Sequence, residues 1–188
     1  MLTTILGLII LFAFSLFEGR LRQGAAASSY EAGEHDRQST GLLGLAYMVC
    51  VLAVLLSFVL NAFQFARLPV WVGWVGVALA VVGVLLRSWS NRVLGAFYTR
   101  TLKVTDGQSI VQAGPYHLVR HPGYLGMILT WLGVSAATAN GLVLPLVLLV
   151  IVAVYMYRIR SEEQMLLTSL PGYAEYSRRT WRLIPLIY

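Results

Sequence analysis

Charged side chains are scarce in this sequence. Asp, Glu, Lys and Arg make up 12% of its 188 residues, which is about half of the roughly 25% typical of soluble domains. Hydrophobic residues make up 58%, and the mean hydropathy is +0.72. Because so little charge is available to cover the apolar surface, the composition excludes an ordinary soluble fold and predicts an integral membrane protein in contact with the lipid bilayer.

Cysteine and histidine are also rare. The single cysteine, Cys50, excludes a disulfide framework, and its apolar neighbours in the sequence indicate a packing residue rather than a catalytic thiol. With three histidines and no cluster of ligating side chains in the pattern, we expect no metal site. The net charge is +6, but the basic residues lie around predicted membrane spans, so we expect no nucleic acid partner. Nothing in the sequence indicates an obligate protein partner.

Long apolar runs account for most of the chain. Crossing a hydrocarbon core takes roughly 20 helical residues, and runs that approach or exceed this length occur at about 1–17, 42–65, 68–90, 124–139 and 141–157. The turn between the last two runs is Asn140-Gly141, which predicts a tight helical hairpin. We therefore expect an all-α integral membrane protein with five transmembrane helices. The first run lacks a preceding basic segment, so we interpret it as a span rather than a signal peptide.

The basic residues are distributed unevenly around these runs. Of the 14 Lys and Arg residues, only Arg67 lies between the second and third runs, and no charged residue separates the fourth run from the fifth. All eight acidic residues lie in the segments that contain the other basic residues. By the positive-inside rule, those segments are cytoplasmic, the N-terminus is outside and the C-terminus is inside. We expect the chemistry at the cytoplasmic face, in the inner membrane of a prokaryote.

Residues 114–124, GPYHLVRHPGY, are unusually polar for such a hydrophobic chain. Proline removes a backbone donor and glycine permits unusual dihedral angles, so the prolines and glycines interrupt regular structure on both sides of the segment. Irregular backbone near a membrane is tolerated where it is buried in protein or lines a wet cavity. The segment therefore predicts a pocket at the cytoplasmic end of the helices.

Two pairs of charged residues flank the predicted hairpin. Arg120 and His121 come immediately before the fourth run, where a charged side chain is costly unless it has a partner. Glu162 and Glu163 come just after the fifth run. Because the hairpin brings these two ends together, we predict that the basic residues pair with the glutamates.

Other polar and aromatic residues lie close to the ends of the runs. We interpret Tyr155, Tyr157, Arg160 and Trp131 as anchors at the membrane interface, where amphipathic side chains keep their polar ends in water.

Several motifs together resemble those of the isoprenylcysteine carboxyl methyltransferase family, and more loosely those of the phospholipid methyltransferases. They are GPYHLVRHPGYLG, the apolar hairpin after it, RIRSEEQMLL, the tyrosines Tyr173 and Tyr176, and RTWRLIP. The resemblance covers about residues 87–186, whereas the first two spans match only in character. It implies two parts, with N-terminal transmembrane helices in residues 1–86 and a methyltransferase core in residues 87–188.

The resemblance implies transfer of a methyl group from S-adenosylmethionine to a lipophilic acceptor that enters from the membrane. The acceptor would be an isoprenylcysteine-like carboxylate or another small amphiphile. Cytoplasmic segments before the fourth helix and after the fifth would bind the cofactor. The residues carried over to the cofactor pocket are Gly114, Tyr116, His117, Val119, Arg120, His121, Tyr124, Leu125, Glu162 and Glu163.

Methyl transfer from a sulfonium is an in-line displacement, which depends on positioning and desolvation. In this interpretation Arg120 or His121 pairs with the methionine carboxylate, and Glu162 or Glu163 binds the amino group or the ribose hydroxyls. Arg158 would orient an anionic acceptor. Arg120, Arg158 and Glu163 are thus the candidate catalytic residues.

The sequence departs from the family pattern at two places. His117 stands where Arg or Lys is common, and residues 170–173, LPGY, replace the usual Phe-Gly-x-Glu-Tyr, so the lid over the cofactor is expected to differ in shape. Tyr116 and Tyr124 are expected to flank the adenine or the sulfonium.

Two alternatives stay open at this point. Some membrane sterol and steroid reductases share a similar C-terminal pattern, so an NADPH-dependent sterol or enone reductase would use the same basic residues against a phosphate. A catalytically inactive membrane scaffold is the other alternative. Arg120, His121, Glu162 and Glu163 are all present, which argues against loss of the site.

Overall fold

The computed structural model describes residues 1–21, 36, 38–99, 101, 102, 104 and 107–188. Regular structure in these residues is helical, which confirms the all-α class for the part described. The α-helices are α1 (Leu2–Leu21), α2 (Ser39–Ala62), α3 (Val70–Leu94), α4 (Pro122–Ala137), α5 (Val143–Ser169) and α6 (Tyr173–Arg179). Short 3₁₀ turns occur at Gly95–Phe97 and Gly114–His117.

Four of these helices, α1, α2, α3 and α5, are long and apolar enough to cross a membrane. Their length and composition are those of helices in an integral membrane protein. The helix α4 has only 16 residues, which at 1.5 Å per residue span about 24 Å. Of these 16 residues, 12 are buried, so α4 is surrounded mainly by protein. A fifth span therefore stays a prediction.

The helices α3 and α4 approach each other closely because glycines line the contact. A Cβ atom added to Gly133 would lie 2.2 Å from the backbone nitrogen of Ala80, and one added to Gly76 would lie 2.3 Å from that of Ala137. About two turns further along both helices, Gly83 and Gly126 face each other in the same way. Small residues let two helix backbones pack tightly inside a membrane. This contact fixes α4 in the centre of the bundle.

At the opposite end of the bundle, Asn140 organises the turn between α4 and α5. Its side-chain oxygen accepts hydrogen bonds from the backbone nitrogens of Leu142 and Val143, at 3.1 and 3.3 Å. Its amide nitrogen donates to Asn61 Oδ1 and to the carbonyl of Phe65, both at 2.9 Å. The side chain is fully buried, so one asparagine both begins α5 and ties it to the end of α2.

Two of the predicted interface anchors are core residues instead. Trp131 is 2% exposed and Tyr155 is 1% exposed, which makes the interface interpretation wrong for both. Trp131 lies on the central helix α4, and the Tyr155 hydroxyl lies 2.5 Å from that of Tyr47 inside the protein. Tyr157, two residues further along α5, is 39% exposed, and Arg160 is also exposed. Side chains on α5 point in different directions around the helix axis, so Tyr155 faces the core while Tyr157 and Arg160 face outward.

The helix α5 is longer than a membrane is thick. Its 27 residues extend about 40 Å, whereas a hydrocarbon core measures about 30 Å. The last turns of α5, which include Glu162 and Glu163, therefore extend beyond the apolar layer. This extension places both glutamates beside residues 114–121.

Candidate active site

A cavity of about 490 Å³ lies at this polar end of the bundle. Its wall combines residues from α1 to α6 and from the segments between α3 and α4. The polar and aromatic side chains on the wall include Glu18, Tyr47, Arg87, Tyr98, Tyr116, Arg120, His121, Tyr124, Tyr155, Arg158, Glu162, Tyr173 and Tyr176. The pocket predicted from residues 114–124 is therefore present, and it reaches further toward the membrane than that segment alone.

Glu163 is the anionic centre of the site. Its two carboxylate oxygens lie 2.7 Å from Arg120 Nε and 2.7 Å from Arg182 Nε, and His121 Nε2 lies 3.4 Å away. The side chains of Arg120 and Glu163 are 7% and 8% exposed. Three basic groups therefore share one buried carboxylate, which holds the end of α5 against the segment before α4. The pairing predicted between the basic residues and the glutamates is present.

Glu162 differs from Glu163 in facing the cavity. One of its carboxylate oxygens, Oε2, lies 3.7 Å from His121 Nδ1. The same oxygen is buried and has no hydrogen-bond partner among the described residues. A buried polar atom without a partner is costly and uncommon in native structures. Because the Glu162 side chain lines the cavity, its carboxylate is an acceptor that suits a donor group of a bound ligand.

Aromatic rings continue the wall from His121 toward the membrane. The His121 and Tyr124 rings are stacked with centroids 5.4 Å apart, and Tyr155 follows at 5.1 Å from Tyr124. Such faces attract cations and stack against flat rings. This side of the cavity can therefore contact a heterocycle or a sulfonium.

The C-terminal segment fixes the shape of residues 114–121, the irregular segment before α4 that we call the cradle. The backbone nitrogens of Arg120 and His121 donate to the carbonyls of Trp181 and Arg182, at 2.8 and 3.0 Å. The nitrogen of Trp181 donates in turn to Leu118 at 3.1 Å. These bonds satisfy the irregular backbone before α4, as a buried segment requires.

The short helix α6 closes the cradle from one side. The Tyr176 hydroxyl donates to the carbonyl of Tyr116 at 2.6 Å, and Arg120 Nη1 donates to the carbonyls of Ser177, at 2.7 Å, and Thr180. Burial raises the pKa of Tyr176 to about 12. Burial also raises the pKa of Tyr116 and of Tyr173 far above the usual range. These hydroxyls therefore stay protonated at neutral pH.

Arg158 is held by residues at the start of α2. Its Nη1 lies 3.1 Å from the hydroxyls of Ser39 and Thr40 and 3.9 Å from the carboxylate of Asp36, and its Nε donates to Tyr124 at 3.0 Å. Burial by itself would raise the pKa of Asp36, but hydrogen bonds from Thr40, Ser39 and the backbone of Leu102 lower it below its usual value. The contacts place a charged Asp36 beside the arginine.

A second charged pair on the wall was not predicted from the sequence. Arg87 of α3 lies 2.9 Å from the Glu18 carboxylate of α1, and the Tyr98 hydroxyl donates to the same carboxylate at 2.5 Å. Asn91 Nδ2 is 3.5 Å from it. The available signal was the presence of Glu18 and Arg87 near the ends of two apolar runs, where charges require partners.

The structure divides the residues predicted to bind the cofactor into two sets. Those on the cavity wall are Tyr116, Arg120, His121, Tyr124 and Glu162, joined by the candidate catalytic residue Arg158. Those away from the wall are Gly114, His117, Val119, Leu125 and Glu163.

The second set has structural contacts instead. Gly114 adopts a φ of +56°, which favours glycine, and the exposed His117 Nδ1 lies 2.6 Å from the carbonyl of Gly114. The backbones of Val119 and Trp181 form an isolated parallel β-bridge, and Leu125 packs against the core. The roles of both sets in binding stay predictions.

Comparison with known proteins places these features in a family. Residues 74–168, about half of the chain, match the sequence model of the Isoprenylcysteine carboxyl methyltransferase (ICMT) family. The chain is 24% identical over 182 residues to a probable protein-S-isoprenylcysteine O-methyltransferase from Oryza sativa subsp. indica, covering 94% of this chain and 95% of that one.

Another relative is named for metal resistance rather than for methyl transfer. The chain is 33% identical over 142 residues to the cobalt-zinc-cadmium resistance protein CzcN of Cupriavidus metallidurans, which covers 74% of this chain and 64% of the relative. Among the residues that the structure describes, no group of three His, Cys, Asp or Glu side chains is arranged to hold a metal ion.

A solved structure has the same fold. It is the eukaryotic intramembrane Ras methyltransferase ICMT, and it matches with a TM-score of 0.66 and 24% sequence identity, over 75% of this chain and 52% of the solved one. This chain therefore spans about half the length of the solved protein. With the sequence match, the shared fold and the predicted motifs in agreement, the chain belongs to the isoprenylcysteine carboxyl methyltransferase family.

Proposed function

We propose that this protein transfers a methyl group from S-adenosylmethionine to a lipophilic acceptor at the cytoplasmic face of a membrane. Membership of the family supports the reaction class. The observation that carries the proposal is Glu162, whose side chain lines the cavity beside His121 and has one carboxylate oxygen, Oε2, without a hydrogen-bond partner. S-adenosylmethionine carries an amino group and ribose hydroxyls, which are donors of the kind that this oxygen lacks.

The residues around Glu162 fit the rest of the cofactor. The stacked pair His121 and Tyr124 offers a face for the adenine or the sulfonium. Arg120 and His121 lie on the cavity wall, and Arg120 pairs there with Glu163. We assign one of these two basic residues to the methionine carboxylate of the cofactor. When bound, the cofactor would supply an electrophilic methyl group on a positively charged sulfur.

The described residues contribute position and desolvation rather than covalent chemistry. Tyr173 and Tyr176 of α6 cover the cavity on the cytoplasmic side, which limits access of water. The aromatic wall leads from this end toward Tyr47 and Tyr155, between α2 and α5. Alignment of donor and acceptor in a dry site is the main requirement of an in-line displacement.

We assign the acceptor to the membrane side of the cavity. Leu43, Gly44 and Tyr47 of α2 and Tyr155 of α5 line that side, so an apolar molecule that diffuses in the bilayer can approach between these two helices. The positive-inside pattern puts the cofactor end in the cytoplasm, the N-terminus outside and the C-terminus inside. Access from both phases would allow a soluble donor to meet a lipid-dissolved acceptor.

Titration of the purified protein with S-adenosylhomocysteine tests this function. We expect saturable binding of this product, and we expect Glu162→Gln to weaken it by about tenfold or more, because a hydrogen bond to a charged group contributes roughly 1.5 to 3 kcal/mol. Isothermal titration calorimetry in detergent measures both affinities. The same titration with NADPH tests the reductase alternative.

The matched control is Glu175→Gln on α6. Glu175 is a glutamate with an exposed side chain that pairs with Arg179, so its replacement should leave the affinity unchanged. Equal affinities of the wild type and Glu162→Gln would reject the role of Glu162. Binding of NADPH but not of S-adenosylhomocysteine would favour the reductase alternative. Binding of neither ligand would favour the alternative of a catalytically inactive membrane scaffold.

A further inference from the structure

Arg158 lies on α5 between a group that we assign to the cofactor and one on the membrane side of the cavity. It comes four residues before Glu162 and three residues after Tyr155, and all three side chains line the cavity. At 1.5 Å per residue, Arg158 is about 6 Å from Glu162 and about 4.5 Å from Tyr155 along the helix axis. The reacting group of an acceptor that enters from the membrane and meets the cofactor would therefore lie beside Arg158.

The Arg158 guanidinium is held at two of its nitrogens. Nη1 donates to the hydroxyls of Ser39 and Thr40, both at 3.1 Å. Nε donates to the Tyr124 hydroxyl at 3.0 Å. Since the group is planar, these contacts fix its plane as well as its place. The plane of a guanidinium determines whether it can bind a carboxylate through two parallel hydrogen bonds.

Asp36 orients the two hydroxyls that contact Arg158. Its Oδ1 accepts hydrogen bonds from the hydroxyls of Ser39 and Thr40, both at 2.9 Å. The same carboxylate accepts from the backbone nitrogens of Thr40 and Leu102, both at 3.4 Å. A hydroxyl has one proton to donate. Because each hydroxyl gives that proton to Asp36, its lone pairs are available to accept from Arg158.

This relay from Asp36 is buried at one end and reaches the cavity at the other. Asp36 is 3% exposed and Ser39 is 0% exposed, and the Asp36 carboxylate lies 3.9 Å from Arg158 Nη1. Thr40 and Arg158 line the cavity. The relay therefore ends at a surface that a bound ligand touches. Asp36 lies outside residues 74–168, which match the family model.

We propose that Asp36 is a positioning residue, which acts through the two hydroxyls of α2 to hold Arg158 where it binds the carboxylate of the acceptor. The inference rests on the function proposed above and deepens it, since the acceptor is then an anionic amphiphile such as an isoprenylcysteine. In the transfer an oxygen of that carboxylate forms a bond to the methyl carbon as the carbon–sulfur bond breaks. The electron pair of the broken bond goes to the sulfur, and no proton leaves the acceptor.

The preference for a carboxylate over an amide tests this role. We would measure the affinities of the detergent-solubilised protein for N-acetyl-S-farnesylcysteine and for its primary amide, which share one apolar tail. The wild type should bind the acid about tenfold more tightly, as hydrogen bonds to a charged group allow. Asp36→Asn should reduce this preference to about twofold, because an amide no longer fixes both hydroxyls as acceptors toward Arg158. Its affinities for the amide probe and for S-adenosylhomocysteine should stay within about twofold of wild type.

Methyl transfer to N-acetyl-S-farnesylcysteine provides the second measurement. Asp36→Asn should lower kcat about tenfold or more, because a small displacement of aligned groups slows an in-line reaction. Its KM for S-adenosylmethionine should stay within about twofold of wild type. In an Arg158→Lys background, which lacks the planar fork, Asp36→Asn should change kcat by less than about twofold. Additive effects of the two substitutions would show that Asp36 does not act through Arg158.

Two further variants separate positioning from a purely structural role. Ser39→Ala removes one of the two hydroxyls and keeps the Asp36 charge, so it should lose part of the preference for the acid. The exposed variant Glu175→Gln should match the wild type in every measurement. A purely structural Asp36 would instead lower the affinities of Asp36→Asn for the acid, the amide and S-adenosylhomocysteine together, which would overturn the proposal.

The outcomes distinguish this inference from the function on which it rests. If S-adenosylhomocysteine binds but Asp36→Asn keeps the wild-type preference for the acid, the positioning role is wrong and the methyltransferase stands. The same holds if the wild type binds the amide as tightly as the acid. If S-adenosylhomocysteine does not bind to the wild type, the proposed function fails first. If Asp36→Asn does not fold, a Ser39→Ala protein with the full wild-type preference would overturn the proposal.

Discussion

Replacing Glu163 with glutamine is expected to lower the free energy of unfolding by about 3 to 5 kcal/mol, because removal of one partner from a buried ion pair leaves the other charge uncompensated. Here Arg120, whose side chain is 7% exposed, would lose the carboxylate 2.7 Å from its Nε. His121 and Arg182 contact the same carboxylate. The midpoint of thermal unfolding in detergent, followed by tryptophan fluorescence, measures the effect.

Binding should fail together with stability in this variant. Glu163 joins α5 to the segment before α4, so its loss also loosens the cradle that Arg120 and His121 form. The matched control is again Glu175→Gln, whose exposed pair with Arg179 contributes only a few tenths of a kcal/mol, as surface pairs typically do. If the unfolding midpoint of Glu163→Gln equals that of the control, the buried ion pair does not stabilise the fold as described.

Replacing Gly133 with alanine should be comparably severe, at about 3 kcal/mol, for a steric reason. The added Cβ would lie 2.2 Å from the backbone nitrogen of Ala80 and 2.6 Å from the carbonyl oxygen of Gly76. Backbone atoms of α3 cannot rotate away as a side chain can, so the helices must separate. Overpacking of this kind costs roughly 1 to 3 kcal/mol and occasionally more.

Gly41 provides the matched control on α2. Nothing lies within 4 Å of a Cβ added there, so Gly41→Ala should leave stability unchanged or raise it by up to about 1 kcal/mol, the difference in helix propensity. Thermal unfolding of the two variants in the same detergent compares them directly. A Gly133→Ala protein as stable as Gly41→Ala would show that α3 and α4 are not packed backbone to backbone.

The pairing at the cradle was predictable because its causes are local or simple. Arg120 and His121 lie just before an apolar run, and Glu162 and Glu163 lie just after another. A charge at such a position needs a partner, and the sequence offers few candidates. The short connection between α4 and α5 then limits which ends can meet.

The contacts of Glu18 could not be predicted in the same way. Glu18 and Arg87 are 69 residues apart, and their meeting depends on how α1 packs against α3. Nothing in the spacing of either run specifies that packing. The burial of Trp131 and Tyr155 has the same origin, since both lie on helix faces that only the assembled bundle covers.

The sequence by itself determined that this is a helical membrane protein whose polar chemistry is concentrated near residues 114–124 and 158–163. Run length, charge placement and backbone interruptions carry that information without reference to neighbours. Only the tertiary structure decided that Glu162 faces the cavity while Glu163 binds the basic residues behind it, and that Glu18 shares the cavity with Arg87. Those distinctions depend on side-chain direction and helix contacts, which are properties of the packed bundle rather than of any segment in it.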